Sequence, residues 1–456
     1  MLDGRTCWLG IGQSLVTFPK TPGLFGASVN RILGTESGIG LATDDVWDTL
    51  VGLLDRFGRA AEDYASRFAI GIAPNEVRRR IEPILGDVRR IQRAGWDALP
   101  GGNALRACLE RLRELAPNTY RKTMARIAGV SVIHAHFRSR MTEEDIGRAI
   151  AASSLYEMMQ DLLDDLLDGG GWTFPEATRL YDRCLRPLTD SGVSTEGLEA
   201  QLADLMGPGQ DGLEHVLAEA TRELRGLLGA GDERVRRLLV KGHEALTRAQ
   251  AATIYFQRET LDIAAIRDIA TGLPSPDPSL PWLDRLAIYA SWPSNIALID
   301  ASFASPPVSQ KELTAHARAW LAFDEAVSFL EHFAGTEADV REGVVNFACL
   351  YANLSATILE ENSFGGFTSP QRQSIFEKAT GCLVRAVREG VAGGGPAEDY
   401  VLLAVMVPTI IFAMCKTPPD QAASFFAILA PALRATMGTG HVMSEGCHPR
   451  ASGTTT

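Results

Sequence analysis

The chain has 456 residues, of which 46% are hydrophobic, and a net charge of −12 at pH 7. This composition is typical of a globular protein long enough to bury a large core, and the acidic balance argues against nucleic-acid binding. Seven cysteines without a Cys-x-x-Cys pair favour a reducing, cytoplasmic setting without structural disulfides or zinc.

The N-terminal residues 1–42 are expected to be irregular, and the start of the chain lacks the basic region and apolar run of a signal peptide. The longest apolar run, 400–415, is shorter than a membrane span of about 18 residues and contains Pro408. We therefore expect no transmembrane span. This run is interpreted as a fully buried helix beside an internal cavity.

The first predicted helix begins at an acidic cluster. Asp44, Asp45 and Asp48 follow Thr43 and precede an amphipathic run that extends to residue 68. Thr43 is well placed as the N-cap, and Asp44 and Asp45 then lie in the first turn, where the helix dipole favours carboxylates. We interpret the cluster as a helix cap, and a metal-binding role for its D-D-x-x-D spacing is the alternative.

Apolar residues recur at intervals of three and four along most of the chain, and alternating strand patterns are scarce. The sequence therefore predicts an all-α helical bundle over 43–437, with a candidate internal boundary at the Pro-rich break 274–281. The small, polar segment 438–456 is expected to be disordered. The predicted helices cover 45–68, 75–94, 104–115, 121–136, 143–168, 174–188, 214–228, 233–271, 283–301, 311–333, 338–361, 370–391, 398–414 and 420–437.

The predicted helix 143–168 ends in a dense acidic cluster. Asp164, Asp165 and Asp168 have the spacing D-D-x-x-D. Asp161 lies one turn before Asp165, so the carboxylates crowd together at a helix C-terminus that already carries partial negative charge. A divalent cation would relieve the repulsion, and Mg²⁺ prefers such oxygen ligands. A solvated acidic helix face is the alternative that needs no metal.

A second candidate metal motif closes the predicted helix 338–361. Asn353, Thr357 and Glu361 are four residues apart, so on a continuous helix an amide, a hydroxyl and a carboxylate share one face. They would offer three oxygen ligands to another Mg²⁺. The alternative is a helix that ends in polar residues. A near miss of the same pattern, with histidine at the last position, is formed by Asp324, Ser328 and His332.

The two motifs resemble those of class I isoprenoid synthases, the superfamily of terpene cyclases and chain-elongating prenyltransferases. The segment 160–168, Gln-Asp-Leu-Leu-Asp-Asp-Leu-Leu-Asp, is similar to the aspartate-rich motif of that family, and the 353–361 triad is similar to its second motif. The order of the motifs is also that of the family. The resemblance implies a helical bundle of the class I terpenoid-synthase type, with additional helices because the motifs are roughly 190 residues apart.

The resemblance further implies a cytoplasmic, magnesium-dependent terpene synthase, a carbon–oxygen lyase of isoprenoid biosynthesis that ionises and cyclises a linear prenyl diphosphate. The metal ions would be held by Asp164, Asp165, Asp168, Asn353, Thr357 and Glu361. The sequence assigns no substrate-binding or other catalytic residue, because the arginine that senses diphosphate is not found at its expected place. It also does not indicate the chain length of the substrate.

Two other functions stay open. Prenyltransferases and squalene- or phytoene-type head-to-head synthases carry two facing aspartate motifs, and the 44–48 cluster could oppose the 161–168 cluster. A non-catalytic helical scaffold, with its acidic clusters as surface caps, is the third hypothesis. The oligomeric state is undecided, with a homodimer as one outcome. The three functions are distinguished by which of these helices face each other across a cavity.

Overall fold

The computed structural model describes residues 46–169, 171–207, 212–229, 232–275, 277–355, 358 and 364–444. Within these residues the protein is all-α, which confirms the predicted class. The β-type pairing in the described part of the chain is a single isolated bridge between Gln257 and Val344.

Seventeen α-helices are described, and four short 3₁₀ helices connect some of them. The α-helices are α1 (Val46–Phe68), α2 (Pro74–Ala94), α3 (Gly102–Leu115), α4 (Pro117–Val130), α5 (Glu143–Asp168), α6 (Phe174–Thr189), α7 (Leu198–Met206), α8 (Leu213–Leu228), α9 (Glu233–Ala251), α10 (Ile263–Thr271), α11 (Trp282–Tyr289), α12 (Pro293–Ser302), α13 (Gln310–Arg341), α14 (Phe347–Tyr351), α15 (Ser369–Ala392), α16 (Ala397–Met414) and α17 (Pro419–Ser444). The 3₁₀ helices are Trp96–Ala98, Ile133–His136, Arg138–Arg140 and Ala252–Phe256.

The two longest central helices, α5 and α13, are buried around much of their circumference. The start of α5 is fixed by Thr142, whose hydroxyl accepts from the backbone N–H of Asp145 while the Asp145 carboxylate accepts from the N–H of Thr142. Ser309 caps α13 in a similar way through the N–H of Glu312. One hydrophobic cluster extends from Trp47 to Leu433 and includes residues on both sides of 274–281.

The apolar run near residue 400 forms α16, as the sequence predicts. Tyr400 and Val401 are fully buried, and Pro408 lies inside the helix. Among the described helices, this one is long and apolar enough to cross a membrane, with a mean hydropathy of 1.7, but 72% of it is buried inside the protein. Packing against neighbouring helices accounts for its composition.

The predicted single helix over 338–361 is wrong. Helix α13 ends at Arg341, and Gly343 follows with a φ of 85°, a conformation that favours glycine. Asn346 then caps α14 by accepting from the N–H of Cys349. The predicted helix 233–271 is also interrupted, because the chain leaves α9 in a 3₁₀ turn.

The two breaks pair with each other. The N–H of Val345 donates to the carbonyl of Phe256, and the N–H of Arg258 donates to the carbonyl of Gly343. This contact adds the Gln257–Val344 bridge between the two connections. Backbone groups released by ending two helices therefore satisfy one another, a long-range arrangement that local periodicity does not encode.

The predicted helix 283–301 divides into α11 and α12. Pro293 is at the first positions of α12, and Trp292 before it has φ −130° and ψ 3°, outside helical geometry. Proline has no N–H to continue a helix and disfavours helical geometry in the residue before it. The break places the Trp292 indole at the wall of the site described below.

A buried ion network joins α11, α13 and α15. Glu325 of α13 is 0% exposed and contacts Lys378 Nζ at 2.7 Å and the Arg385 guanidinium. Lys378 also contacts Asp284 Oδ2 at 2.7 Å. Because breaking a buried pair leaves an uncompensated charge, this network should matter for stability.

Glu325→Gln should lower the free energy of unfolding by about 3 kcal/mol, because it leaves Lys378 and Arg385 short of negative charge. The measurement is the urea midpoint, with an unchanged slope showing that two-state unfolding is kept. Glu337→Gln is the control, since that residue pairs with Arg341 at the exposed surface of the same helix and should change the midpoint little. Equal midpoints for both variants would contradict the prediction.

Candidate functional site

The aspartate cluster at the end of α5 packs against a basic face of α4. Lys122 Nζ lies 2.8 Å from Asp164 Oδ2 and 2.9 Å from Asp165 Oδ1. The Thr119 hydroxyl donates to Asp165 Oδ2 at 2.5 Å. Because Thr119, Lys122 and Arg126 are three and four residues apart, they share one face of α4. That face runs antiparallel to the acidic face of α5.

One turn further along α4, Arg126 joins α5 to α13. Its guanidinium nitrogens lie 3.5 Å from Asp161 Oδ1 and 3.8 Å from Glu157 Oε1. Glu331 Oε1 of α13 lies 3.4 Å away, and the guanidinium stacks 4.8 Å above the Trp292 ring. The Trp292 indole N–H donates to Glu157 Oε2 at 2.8 Å. Arg126 is thus the centre of a network that spans three elements.

The acidic face of α5 is buried. Asp161 is 0% exposed, Glu157 is 1% exposed and Asp164 is 9% exposed. The solvated helix face that the sequence left as the alternative does not describe these three residues, whereas Asp165 and Asp168 are half-buried. Buried charges need partners, and α4 provides two of them.

Charge pairing dominates the protonation of both basic residues. Burial alone would lower the pKa of Lys122, but the Asp164, Asp165 and Asp161 carboxylates raise it above its usual range. Burial likewise opposes ionisation of Arg126, and its carboxylate neighbours raise its pKa. Both residues are therefore cationic at any physiological pH.

Carboxylates nevertheless outnumber these cations. Burial, reinforced by the neighbouring Asp161, raises the pKa of Glu157 to about 8. Burial raises the pKa of Asp161 to about 6, and burial with the Asp164 charge raises that of Asp168 well above its usual value. The Oδ2 atom of Asp168 is buried and accepts no hydrogen bond from the described residues. The cluster therefore favours protonated carboxyl groups beside its ionised ones, and the buried carboxyl oxygens of Asp161 also lack a hydrogen-bond donor among the described residues.

Asp164, Asp165 and Asp168 have the geometry of a cation site. One carboxylate oxygen from each lies within 4.8 Å of the others. Ligand distances of about 2.0–2.6 Å for Mg²⁺ or Ca²⁺ allow such oxygens to share one ion. The unsatisfied Oδ2 of Asp168 and the all-oxygen donor set fit a hard divalent cation, although Lys122 already contacts the other two carboxylates.

An acidic pocket opens beside this cluster. Asp164 and Asp168 line it from α5, and Glu331, His332 and Asp339 line it from α13. The same pocket is bordered by the paired breaks at 256–257 and 344–347. The end of α13 therefore faces the end of α5 across a cavity.

Asp339 is a candidate site residue that sequence reasoning missed. Burial raises its pKa to about 7, and the Asn346 amide donates to its Oδ2 at 2.6 Å. The available signal was the spacing from Glu331. Residues four and eight positions apart lie along one side of a helix, so Glu331, Gly335 and Asp339 follow one side of α13. Lys122 and Arg126 were missed too, and their signal was a pair of basic residues four apart, which share one face of a helix.

His332 lines the acidic pocket, where it provides a hydrogen-bond donor and not a metal ligand. Its Nδ1 atom accepts from the N–H of Phe347 at 2.9 Å. Burial lowers its pKa to about 4, so the ring is neutral at pH 7 and carries its proton on Nε2. This N–H is suited to an anionic ligand.

The second predicted metal motif is described only in part. Asn353 is exposed and lies in a turn with a φ of 55°, after the end of α14. It does not line the acidic pocket formed by the described residues. Thr357 and Glu361 lie outside the described residues. The expectation that Asn353 shares a helix face with Thr357 loses its basis, because Asn353 is not helical.

The near-miss residues have structural roles. The Asp324 carboxylate accepts from the N–H of Ser294 at 3.1 and 3.3 Å, near the start of α12. The Ser328 hydroxyl donates to the carbonyl of Ala287 at 2.7 Å. These contacts tie α13 to α11 and α12 and leave His332 as the member of the pattern that reaches the pocket.

The first acidic cluster lies elsewhere. Asp48 is exposed on α1 and accepts from the Gln92 amide at 2.7 Å. It lines neither the acidic pocket nor the apolar cavity formed by the described residues. Asp44 and Asp45, with their predicted capping residue Thr43, lie outside the described residues.

An apolar cavity adjoins the acidic pocket. Arg126, Trp292 and Glu331 line both and form the wall between them. Helix α16 contributes Leu403, Met406, Val407, Ile410, Ile411 and Met414. A charged pocket and an apolar cavity therefore lie side by side, which suits an amphiphilic ligand with an anionic head.

This chain matches no protein-family model and no curated protein. The geometry of the acidic pocket and the apolar cavity is therefore the basis for assigning a function.

Glu157→Gln should remove a pH dependence of stability. Below pH 4.5, the ordinary pKa of this group, both folded and unfolded chains are protonated. Between pH 4.5 and about 8 only the unfolded chain ionises, so the wild type loses stability relative to the variant, by at most about 1.4 kcal/mol per pH unit. Above pH 8 the difference levels off. Denaturant unfolding of both proteins from pH 5 to 9 checks this, and parallel curves would contradict it.

Proposed function

We propose that the protein is a magnesium-dependent terpene synthase that ionises and cyclises a linear prenyl diphosphate. The observation that carries the proposal is the convergent set of carboxylate oxygens of Asp164, Asp165 and Asp168, close to a cavity with apolar walls. Such a substrate has the same division, with a charged diphosphate and a hydrocarbon chain. The resemblance of segment 160–168 to the class I motif supports the same function.

Asp164, Asp165 and Asp168 would hold the metal from α5, and Asp339 and Glu331 are the acidic residues that α13 contributes to the opposite wall. Bound Mg²⁺ would neutralise the diphosphate and make it a better leaving group. Asn353, Thr357 and Glu361 remain the predicted second ligand set. Asp339 is a further candidate because it lines the acidic pocket together with Asp164.

The residues of the wall would position the two halves of the substrate. Arg126 and the Nε2–H of His332 are donors available to diphosphate oxygens at the acidic side. On the other side the α16 residues exclude water and shield a hydrocarbon cation. The face of Trp292 supplies π-electron density, which stabilises positive charge.

A non-catalytic helical scaffold is a second candidate, favoured by one specific contact. Lys122 neutralises Asp164 and Asp165 from within the protein, so the cluster can be held without a metal ion. The prenyltransferase and head-to-head synthase alternative receives no such support from the described residues, because Asp48 is at the surface of α1. Metal binding and turnover distinguish the scaffold from the enzyme.

Addition of MgCl₂ or MnCl₂ should raise the melting temperature of the protein, because a ligand that binds the folded state stabilises it in proportion to its occupancy. Asp168→Asn should abolish the increase by removing the carboxylate with the unsatisfied oxygen. Asp48→Asn is the matched control and should keep it. A matched concentration of NaCl corrects for screening. An increase that persists in Asp168→Asn would place the cation elsewhere.

Incubation with C10 to C25 prenyl diphosphates and Mg²⁺ should release diphosphate and hydrocarbon products, and EDTA should abolish the reaction. Asp164→Asn and Asp168→Asn should each reduce turnover by at least about a hundredfold, since electrostatic stabilisation of the leaving group is lost. Asp339→Asn should reduce it as well, whereas Glu337→Gln on the exposed face of α13 and Asp48→Asn should not. Product analysis measures each effect. Absence of turnover in the wild type with every substrate favours the scaffold.

A further inference from the structure

Two of the described residues that line the apolar cavity carry a carboxyl group, Glu157 and Glu331. Glu331 also lines the acidic pocket, but Glu157 does not. The side chain of Glu157 is therefore on the hydrocarbon side of the wall, away from the aspartates that would hold the metal. A carboxyl group in an apolar cavity is costly to bury, and the 3.8 Å contact of Glu157 with Arg126 is longer than a hydrogen bond.

The orientation of Glu157 is fixed. The indole N–H of Trp292 donates to Oε2 at 2.8 Å, and an Arg126 nitrogen lies 3.8 Å from Oε1. The residue is 1% exposed, and α5 carries it on a buried turn. The carboxyl group is thus held at the cavity wall by groups that are themselves packed, as a proton-transfer residue must be.

A hydrocarbon cation formed in this cavity has few ways to become neutral. The α16 residues at the cavity wall are apolar and offer no nucleophile, and the diphosphate would be on the other side of the wall. Loss of a proton to a base is the route that a carboxyl group at the cavity wall provides. The C–H bond next to the cationic carbon breaks, its electron pair forms the C=C bond, and the proton goes to the base.

Building on the proposed function, we propose that Glu157 is the base that takes this terminating proton. One carboxylate oxygen accepts the proton and becomes a carboxylic acid, and the product is an alkene. The proton then leaves to solvent before the next turnover. Glu157 would be a catalytic residue for termination and would have no part in ionising the substrate.

The surroundings of Glu157 make this step sensitive to pH. Arg126 of α4 faces it, Asp161 lies one turn along its own helix, and Glu331 approaches Arg126 from α13. Burial raises the pKa of Glu157 to about 8, so the ionised fraction increases between about pH 6 and 9. The share of product formed by deprotonation should increase over the same range.

The test measures substrate consumption and product distribution separately, at pH 6 to 9, for the wild type, Glu157→Gln and Glu331→Gln. Glutamine keeps the shape of the side chain, and the unfolding curves of the variants show that each is folded. We expect Glu157→Gln to reduce the main alkene at least about tenfold relative to other products, to abolish the pH dependence of the ratio, and to leave substrate consumption within about twofold.

The outcomes separate the two proposals. A wild type that consumes no prenyl diphosphate overturns the proposed function itself, and the inference with it. An active wild type whose product ratio is unchanged in Glu157→Gln overturns the inference alone. The inference is also overturned if Glu331→Gln changes the product ratio and Glu157→Gln does not. It is overturned too if Glu157→Gln lowers substrate consumption without changing the product ratio. Hydroxylated or isomeric products that replace the alkene in Glu157→Gln would support Glu157 as the terminating base.

Discussion

The contact on which the site depends is that of the Lys122 ammonium with the carboxylates of α5. Without it, Asp161, Asp164 and Asp165 would be buried like charges at a helix C-terminus, and α4 and α5 could not pack closely along these faces. Lys122 relieves much of this repulsion, and Arg126 continues the pairing one turn further. The carboxylates can therefore lie at the edge of a cavity while the protein remains folded.

The same contact raises the question of whether Lys122 alone balances the charge of the carboxylates. Lysine is a fixed single charge, while the described carboxylates around it are more numerous. At the C-terminal end of the cluster, the buried Oδ2 atom of Asp168 has no hydrogen-bond donor among the described residues. A second cation at that end of the cluster would complete what Lys122 begins, which is why metal binding is the first property to measure.

Sequence reasoning succeeded where structure is local. The helical period predicts the all-α class, and the spacing of Asp164, Asp165 and Asp168 predicts carboxylates that converge at the end of α5. It failed at the breaks near 256, 292 and 343, where the chain ends helices to satisfy distant backbone groups or a proline. Two of these breaks border the acidic pocket, and the third places Trp292 at its wall. Lys122, Arg126 and Asp339 were missed because their importance depends on which helices meet, and that is a long-range property.

The position of Arg126 has a consequence for how this protein can diverge. A single guanidinium contacts three carboxyl groups on two helices and stacks on one indole. Replacing it alone would orphan several buried partners together, and replacing one partner would leave the rest still requiring a cation. A single substitution of Arg126 is therefore not expected to be neutral. Among descendants of a common ancestor, Arg126 and its partners should persist together or be exchanged together, so that their covariation would show whether a related protein still has the same wall.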